Sequence, residues 1–322
     1  MGSKYWSIST LEKEGMDPQK INELIDFIIK ENKPVHSLII VKNGKLVTDV
    51  SFNGYNSENI HEIYSCSKSI NSALVGIAIN DGLIKNVNQK VLEFFSEIII
   101  PKYNLEIKNM TIENLLTMAT GLHWEDIYNY DKLWDSKNPI EYFFNLPMES
   151  LSGTKFCYCS GVPHILQFLL ERATGEDLLS YAKRKLFNPI GIERVKCPKD
   201  NNGLRGSIEI SPLDMAKFGY LFLKKGMWNE VEIIPKQWVE ISTAKYVETP
   251  NNINEVTNFG AGYGYQWWRN HFGGFHANGF GGQYIFVVPK LDLVVVFTGK
   301  LFGEDFFMPQ IAMEKYIISA IK

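Results

Sequence analysis

The chain has 322 residues, 45% hydrophobic and 21% charged, with 33 basic and 36 acidic side chains and a formal net charge of −3. This is the composition of an ordinary globular protein with enough length for a large core. With no long run of one sign, it argues against nucleic acid and anionic membrane as partners.

Cysteines at 66, 157, 159 and 197 form no C-x-x-C pair and are too few to staple a chain of this size, so free thiols are expected. No apolar run reaches the length of a membrane span. The amino terminus, Met1-Gly-Ser-Lys-Tyr-Trp6, lacks the apolar core of a secretion signal. The expectation is a cytoplasmic protein, with an extracytoplasmic location left open should a leader have been trimmed.

In chain order, Asp17-Pro18 is a capped helix start, and Ile21, Leu24, Ile25, Phe27 and Ile28 give that helix an apolar face. Residues 37–52 read as two strands about an Asn43-Gly44 turn, a strong hairpin signal. The next helix begins near Ser65, with Ile70, Ala73, Leu74, Ile77 and Ala78 at helical spacing and Gly82 close to its end. It places Ser65 and Lys68 one turn apart on one face.

From about Leu83 to Arg205, helical segments at 111–118, 162–173 and 177–186 are joined by loops rich in Asn, Pro, Gly and aromatics. Ser211-Pro212 starts another helix. Strands are then expected at Tyr263–Trp268, Gly274–Asn278, Gln283–Pro289 and Leu291–Thr298, followed by a helix from about Met308 to Ile321. The expected fold class is α/β (α+β), an antiparallel sheet flanked by helices. Residues 1–82 and 205–322 form the sheet domain, and 83–204 a helical insert.

A serine becomes a nucleophile when a neighbouring base takes its proton, and a lysine of lowered pKa can be that base. The Ser-x-x-Lys pattern is weak alone, since it recurs at Ser152, Ser180, Ser242 and Ser319. What distinguishes Ser65 is the order of blocks around it. Ser65-Cys-Ser-Lys68, Leu115-Leu-Thr-Met-Ala-Thr-Gly-Leu122, Phe156-Cys-Tyr-Cys-Ser160, Gly203-Leu-Arg-Gly-Ser207 with Asp214–Leu221, and Asn278-Gly-Phe-Gly-Gly-Gln283 follow one another through the chain. Together they resemble the class C β-lactamase-like serine hydrolases and penicillin-binding proteins, a superfamily that also holds esterases and 6-aminohexanoate-dimer hydrolases. The resemblance spans roughly residues 20 to 320.

That resemblance implies a β-lactamase-like fold, Ser65 as acylated nucleophile, Lys68 as its proton partner and Tyr158 as general base and acid. It puts the oxyanion hole at the backbone N–H groups of Ser65 and Phe280, with Gly279 allowing close approach. Ser160, Asn278 and Gln283 are the accompanying substrate-side candidates. Ser160 stands where many relatives carry asparagine. Ala277-Asn278-Gly279 falls where β-lactamases carry Lys-Thr-Gly, so the lysine that holds a substrate carboxylate is missing. His276 either replaces that lysine weakly or is a strand residue pointing away.

The resemblance therefore implies a hydrolase acting on small carboxylic esters or linear amides. The alternatives are a β-lactamase, a D-amino-acid peptidase or a penicillin-recognising binding module. The partner is a small-molecule ester, amide or lactam, and nothing in the sequence sets an oligomeric state. No cofactor is expected: Gly262-x-Gly264 and Gly279-x-Gly281 lack the third glycine of a dinucleotide fingerprint, and no P-loop is present. No metal is expected either, because His61-Glu62 lacks the second histidine of a zinc-protease helix, and His271 and His276 have no partner set. A Gly-x-Ser-x-Gly elbow is absent. Trp124, Tyr128, Tyr130, Trp134, Trp267 and Trp268 are candidates for an apolar acyl pocket, or for core.

Overall fold

The computed structural model describes residues 6–249 and 261–322. Asp17 accepts from the Gln19 N–H at 2.9 Å and Pro18 occupies the first turn, so α1 (Pro18–Lys30) starts where the cap dictates. It buries Ile21, Leu24 and Ile28. β1 (Ser7–Ile8) precedes it, and β2 (Val35–Lys42) and β3 (Lys45–Ser51) follow as the hairpin. Asn43 and Gly44 both have positive φ, 53° and 75°, as the two-residue turn requires.

The short β4 (His61–Glu62) leads to α2 (Ser67–Asn80), which is buried almost throughout. Then come α3 (Ile112–Leu116), α4 (Asp126–Asp135), α5 (Pro139–Phe144), α6 (Val162–Thr174) and α7 (Leu178–Ala182). β5 (Glu209–Ile210) pairs with β4, and α8 (Pro212–Leu223) is capped by Ser211, whose Oγ accepts from the Asp214 N–H at 3.1 Å. A small hairpin of β6 (Met227–Trp228) and β7 (Val231–Glu232) and then α9 (Lys236–Ser242) complete this part.

The main sheet closes from both chain ends in the order β1-β3-β2-β11-β10-β9-β8, its late strands being β8 (Trp268–Arg269), β9 (Phe275–Gly279), β10 (Gln283–Val288) and β11 (Leu293–Gly299). All pairings are antiparallel except β1 with β3. Side chains alternate across it. Ile285, Val287, Val294 and Val296 join the core with α2, α8 and the helices of the middle segment. Tyr284, Phe286, Val295 and Phe297 join the other, under α1 and the C-terminal helix. Gly219 lets α8 lie flush on the sheet, since a Cβ there would sit 2.7 Å from Ile285 and 2.8 Å from Val294.

One expectation is corrected and one refined. Tyr263–Trp268 is not one continuous strand; Tyr263 makes isolated bridges to Val247 and Trp268, and only Trp268 enters the main sheet, because Gln266 is held at φ 64° with its backbone N–H on the Leu116 carbonyl and its side-chain amide on those of Leu115 and Leu116. The last helix runs without a break from Met308 to Ala320 as expected, but only its first turn is α-helical, as α10 (Met308–Ala312), before a π turn over Met313–Ile317 and a 3-10 turn over Ile318–Ala320. Among the described residues, no helix is long and apolar enough to cross a membrane.

Candidate active site

Ser65 lies in a 3-10 turn, Tyr64–Cys66, that runs directly into α2 rather than in the first turn of α2 itself. Tyr64 carries φ 47°, a left-handed conformation that a bulky residue adopts only when its surroundings enforce it. The enforcing contacts come from far along the chain. The Tyr64 N–H donates to Ser207 Oγ at 2.6 Å, the Ile63 N–H to the Ile208 carbonyl at 2.9 Å, and the Ile208 N–H to Ser67 Oγ at 3.1 Å. Behind the turn, the buried Cys66 thiol donates to the Gln283 carbonyl at 3.4 Å, and burial pushes its pKa well up, leaving it an inert thiol.

Lys68 reaches back along the helix, and its Nζ meets Ser65 Oγ at 2.7 Å. The lysine is only 6% exposed. Its Nζ also stands 4.9 Å from the centre of the Tyr158 ring, which stacks on Trp268 at 5.8 Å. Ser65, Lys68 and Tyr158 all line one cleft of about 1090 Å³. Two segments distant in sequence, 65–68 and the loop carrying Tyr158, thus bring a hydroxyl, an amine and a phenol-bearing ring together.

The end of β9 forms the opposite lip. A Cβ at Gly279 would lie 2.3 Å from the Ile63 carbonyl oxygen and 3.2 Å from the Ser65 nitrogen. The strand therefore approaches the serine's backbone more closely than any other residue allows. Phe280 follows at the cleft mouth, its ring edge-on to Tyr64 at 5.8 Å, and Asn278 also lines the cavity.

Two of the sequence candidates are not at the cleft. Gln283 is 2% exposed, and its side-chain amide donates to the carbonyls of Gly299 at 2.7 Å and Gly281 at 3.2 Å, tying down the turn after Gly279. His276 pairs with Phe286 across the sheet, its ring lying against Tyr284 and Phe286 and 3.5 Å from Gln310 on the far face. Burial lowers its pKa to about 3, so it is a neutral core residue. The expectation of a weak replacement for the absent lysine is corrected: strand alternation turns this side chain away.

Ser160 lines the cleft and is held by a residue that sequence reading missed. Asp126, at the start of α4, accepts from the Ser160 N–H at 3.1 Å, from Ser160 Oγ at 3.0 Å and from the Trp124 indole N–H. No spacing pattern marks Asp126, since its contact lies 34 residues away. His164 on α6 was also missed. It lines the cleft between Tyr130 and Trp134, and burial, followed by the nearby charge of Lys68, lowers its pKa to about 3. A histidine and Gln167 one turn apart in a helix otherwise buried through Ile165, Leu166, Phe168 and Leu169 were the available signal.

Of the six aromatic candidates, Tyr130, Trp134 and Trp268 line the cleft. Trp267 is core, stacked on Phe218 at 5.9 Å, and Tyr128 is exposed. Among the described residues, no group of three His, Cys, Asp or Glu is arranged to hold a metal ion.

This combination of sheet, buried helix and serine-lysine pair belongs to a recognised class. The family described as Beta-lactamase matches residues 9–313, and the chain belongs to that family. It is a hydrolase of the beta-lactamase-like superfamily. The 6-aminohexanoate-dimer hydrolase of Paenarthrobacter ureafaciens is 23% identical over 280 residues, covering 81% of this chain and 71% of the relative. A Bacillus anthracis structure provisionally assigned as a 6-aminohexanoate-dimer hydrolase superposes with a TM-score of 0.77 at 20% identity, covering 99% of this chain and 87% of that one. A family VIII carboxylesterase superposes with a TM-score of 0.70 at 16% identity, covering 93% and 96%. These likenesses establish the β-lactamase/penicillin-binding-protein-like fold.

Proposed function

We propose that the protein is a serine hydrolase that forms an acyl-enzyme on Ser65 from small carboxylic esters or linear amides. The observation that carries this is the 2.7 Å contact between Lys68 Nζ and Ser65 Oγ inside a cleft. With the amine neutral, the Ser65 hydroxyl proton passes to Nζ as Oγ attacks the substrate carbonyl. The tetrahedral oxyanion is met by the N–H groups of Ser65 and Phe280, a pairing supported by the close approach of Gly279 to the Ser65 nitrogen. Collapse expels the leaving alkoxide or amine, protonated from Lys68 through Tyr158. Water then attacks the acyl-enzyme by the reverse proton route and releases the acid and free Ser65.

Esters and linear amides are favoured over lactams by what the β9 lip lacks. Ala277 is buried in the core and His276 faces the other side of the sheet, so no β9 cation faces a substrate carboxylate. Relatives support both halves of the reading, one named for hydrolysis of a 6-aminohexanoate dimer and another as a carboxylesterase.

The test combines intact mass after treatment with a fluorophosphonate and turnover of p-nitrophenyl butyrate. A single adduct that disappears in Ser65→Ala, together with ester hydrolysis faster than that of a chromogenic cephalosporin, is expected. No adduct would favour a non-catalytic binding module, and the reverse substrate order a β-lactamase.

A further inference from the structure

One arm of the cleft is not used by the chemistry above. It runs from Lys68 over α6, and two polar side chains on its floor have hydrogen-bonding capacity that the protein does not fill. Asn71 follows Lys68 by one turn on the same face of α2, as Lys68 follows Ser65. Its Nδ2 donates to the Pro163 carbonyl at 3.4 Å, which fixes the amide's orientation, and its Oδ1 is left with no partner. Side chains on a helix lean toward its N-terminus, so this acceptor is tipped toward the reactive centre.

His164 comes next after Pro163, so the Asn71 bond also sets the two polar side chains beside one another. The ring is 7% exposed and lies 5.4 Å from Trp134 and 6.1 Å from Tyr130. Among the described residues, its nitrogens have no hydrogen-bond partner, and they are not sealed from the cleft that the ring lines. A buried polar atom in a native fold is ordinarily satisfied, and the exception at Asn71 Oδ1, beside an imidazole that lines the same cleft without a protein partner, marks a place where something else completes them.

We propose that this arm is an acyl-chain subsite that selects acyl groups ending in an uncharged hydrogen-bond donor, a primary carboxamide or a hydroxyl. Tyr130 and Trp134 wall the chain, and Asn71 and His164 receive its end. The proposal rests on the acyl-enzyme reading of Ser65.

Length and charge both narrow the substrate. Asn71 lies six residues beyond Ser65, about 9 Å along the helix axis. An extended chain of about seven bonds covers that distance, counting the final hydrogen bond. A carboxylate end would face the Asn71 carbonyl oxygen and an imidazole that stays uncharged down to about pH 3. An ammonium end would have to shed its water in the same surroundings whose burial already opposes a charge on His164. The guanidinium of Arg205, also on the cleft wall, is already held by the Cys197 carbonyl, Glu171 and Asp177, so it is not free to receive an anion.

The test compares kcat/KM for p-nitrophenyl heptanoate, the p-nitrophenyl ester of adipic acid monoamide, and mono-p-nitrophenyl adipate, which differ only in the chain end. Wild type is expected to favour the amide-ended ester at least about tenfold over each of the others, the order of discrimination that one net hydrogen bond supplies. In Asn71→Leu and in His164→Phe, that ratio should fall to within about twofold of unity. Taking the ratio within each protein cancels any common effect on folding or on the reactive centre, and the wild-type ratio needs no variant. A wild-type ratio near unity, or a ratio that survives in both variants, would overturn the subsite while leaving the Ser65 chemistry standing. If wild type cleaves none of these esters nor the butyrate, the parent reading fails and the subsite falls with it.

Discussion

The closest backbone approach in the site is at Gly279, and a single methyl group there probes the proposed oxyanion hole. In Gly279→Ala the new Cβ would be built 2.3 Å from the Ile63 carbonyl oxygen and 3.2 Å from the Ser65 nitrogen. Both are backbone atoms, and Ile63 is anchored by its own N–H on the Ile208 carbonyl, so neither can swing aside as a side-chain tip does. An ordinary carbon–oxygen contact is about 1 Å longer, so the lip carrying the Phe280 N–H must retreat from Ser65 by roughly that amount. A misplacement of this size in a reactive centre lowers the rate on the order of 100-fold, as does loss of one oxyanion donor. The expected result is a kcat for p-nitrophenyl butyrate reduced about 100-fold with KM changed little. Thermal melting separates this from unfolding. A matched control is Gly175→Ala, at the end of α6, where φ is 69° but nothing lies within 4 Å of the added Cβ: it should cost about 1 kcal/mol of stability and leave kcat alone. If Gly279→Ala keeps kcat within about threefold of wild type, the close approach does not position the donor and the oxyanion assignment is wrong.

Asp126→Ala removes the acceptor shared by Ser160 and the Trp124 indole, so the Tyr158–Ser160 loop should loosen and kcat/KM fall about tenfold. Because Asp126 is exposed, its melting temperature should barely move, and a loss of stability without a loss of rate would contradict the positioning role. His164 and His276 are both held neutral in the fold to about pH 3, whereas in the unfolded chain they ionise near the ordinary value of about 6.5. The stability they contribute is therefore complete above about pH 6.5 and lost as pH falls toward 3, by roughly 2 kcal/mol for each at pH 5. Urea midpoints at pH 7 and pH 5 should show a smaller drop in His276→Phe than in wild type, and equal drops would refute this account.

Much of the scaffold was written in local chemistry. The Asp17-Pro18 cap, the Asn43-Gly44 turn and the Ser211-Pro212 start each act over a few residues, and each appears where it was read. The 263–268 segment failed for the complementary reason. Its alternation of aromatics suits a strand, but Gln266 spends its amide on the carbonyls of Leu115 and Leu116, about 150 residues away, and no local pattern announces that bond. Placement of Ser65, Lys68 and Tyr158 around one cleft came from the order of the blocks, with spacing contributing little, since Ser-x-x-Lys occurs five times. His276 was decidable earlier than the structure: if Gly279 abuts the serine and Ala277 shares its face, period-two alternation already sends 276 to the other side.

The same long-range dependence has a consequence for how this site must fold. The left-handed Tyr64 that presents Ser65 is disfavoured on its own, so the turn holds its shape only while its partners stay in place. Those partners are Ser207, 143 residues on, and Gln283, reached through Cys66, 217 residues on. The first lies beside β5 and the second opens β10, a central strand of the sheet built from both chain ends. Ser65 therefore acquires its geometry only after the 209–210 strand has met β4 and the late strands have closed onto the hairpin. A local opening of either contact should release Tyr64 to an ordinary conformation and withdraw Ser65 from Lys68, so the Ser65–Lys68 contact is coupled to closure of the whole sheet and cannot be set by α2 and its preceding turn alone.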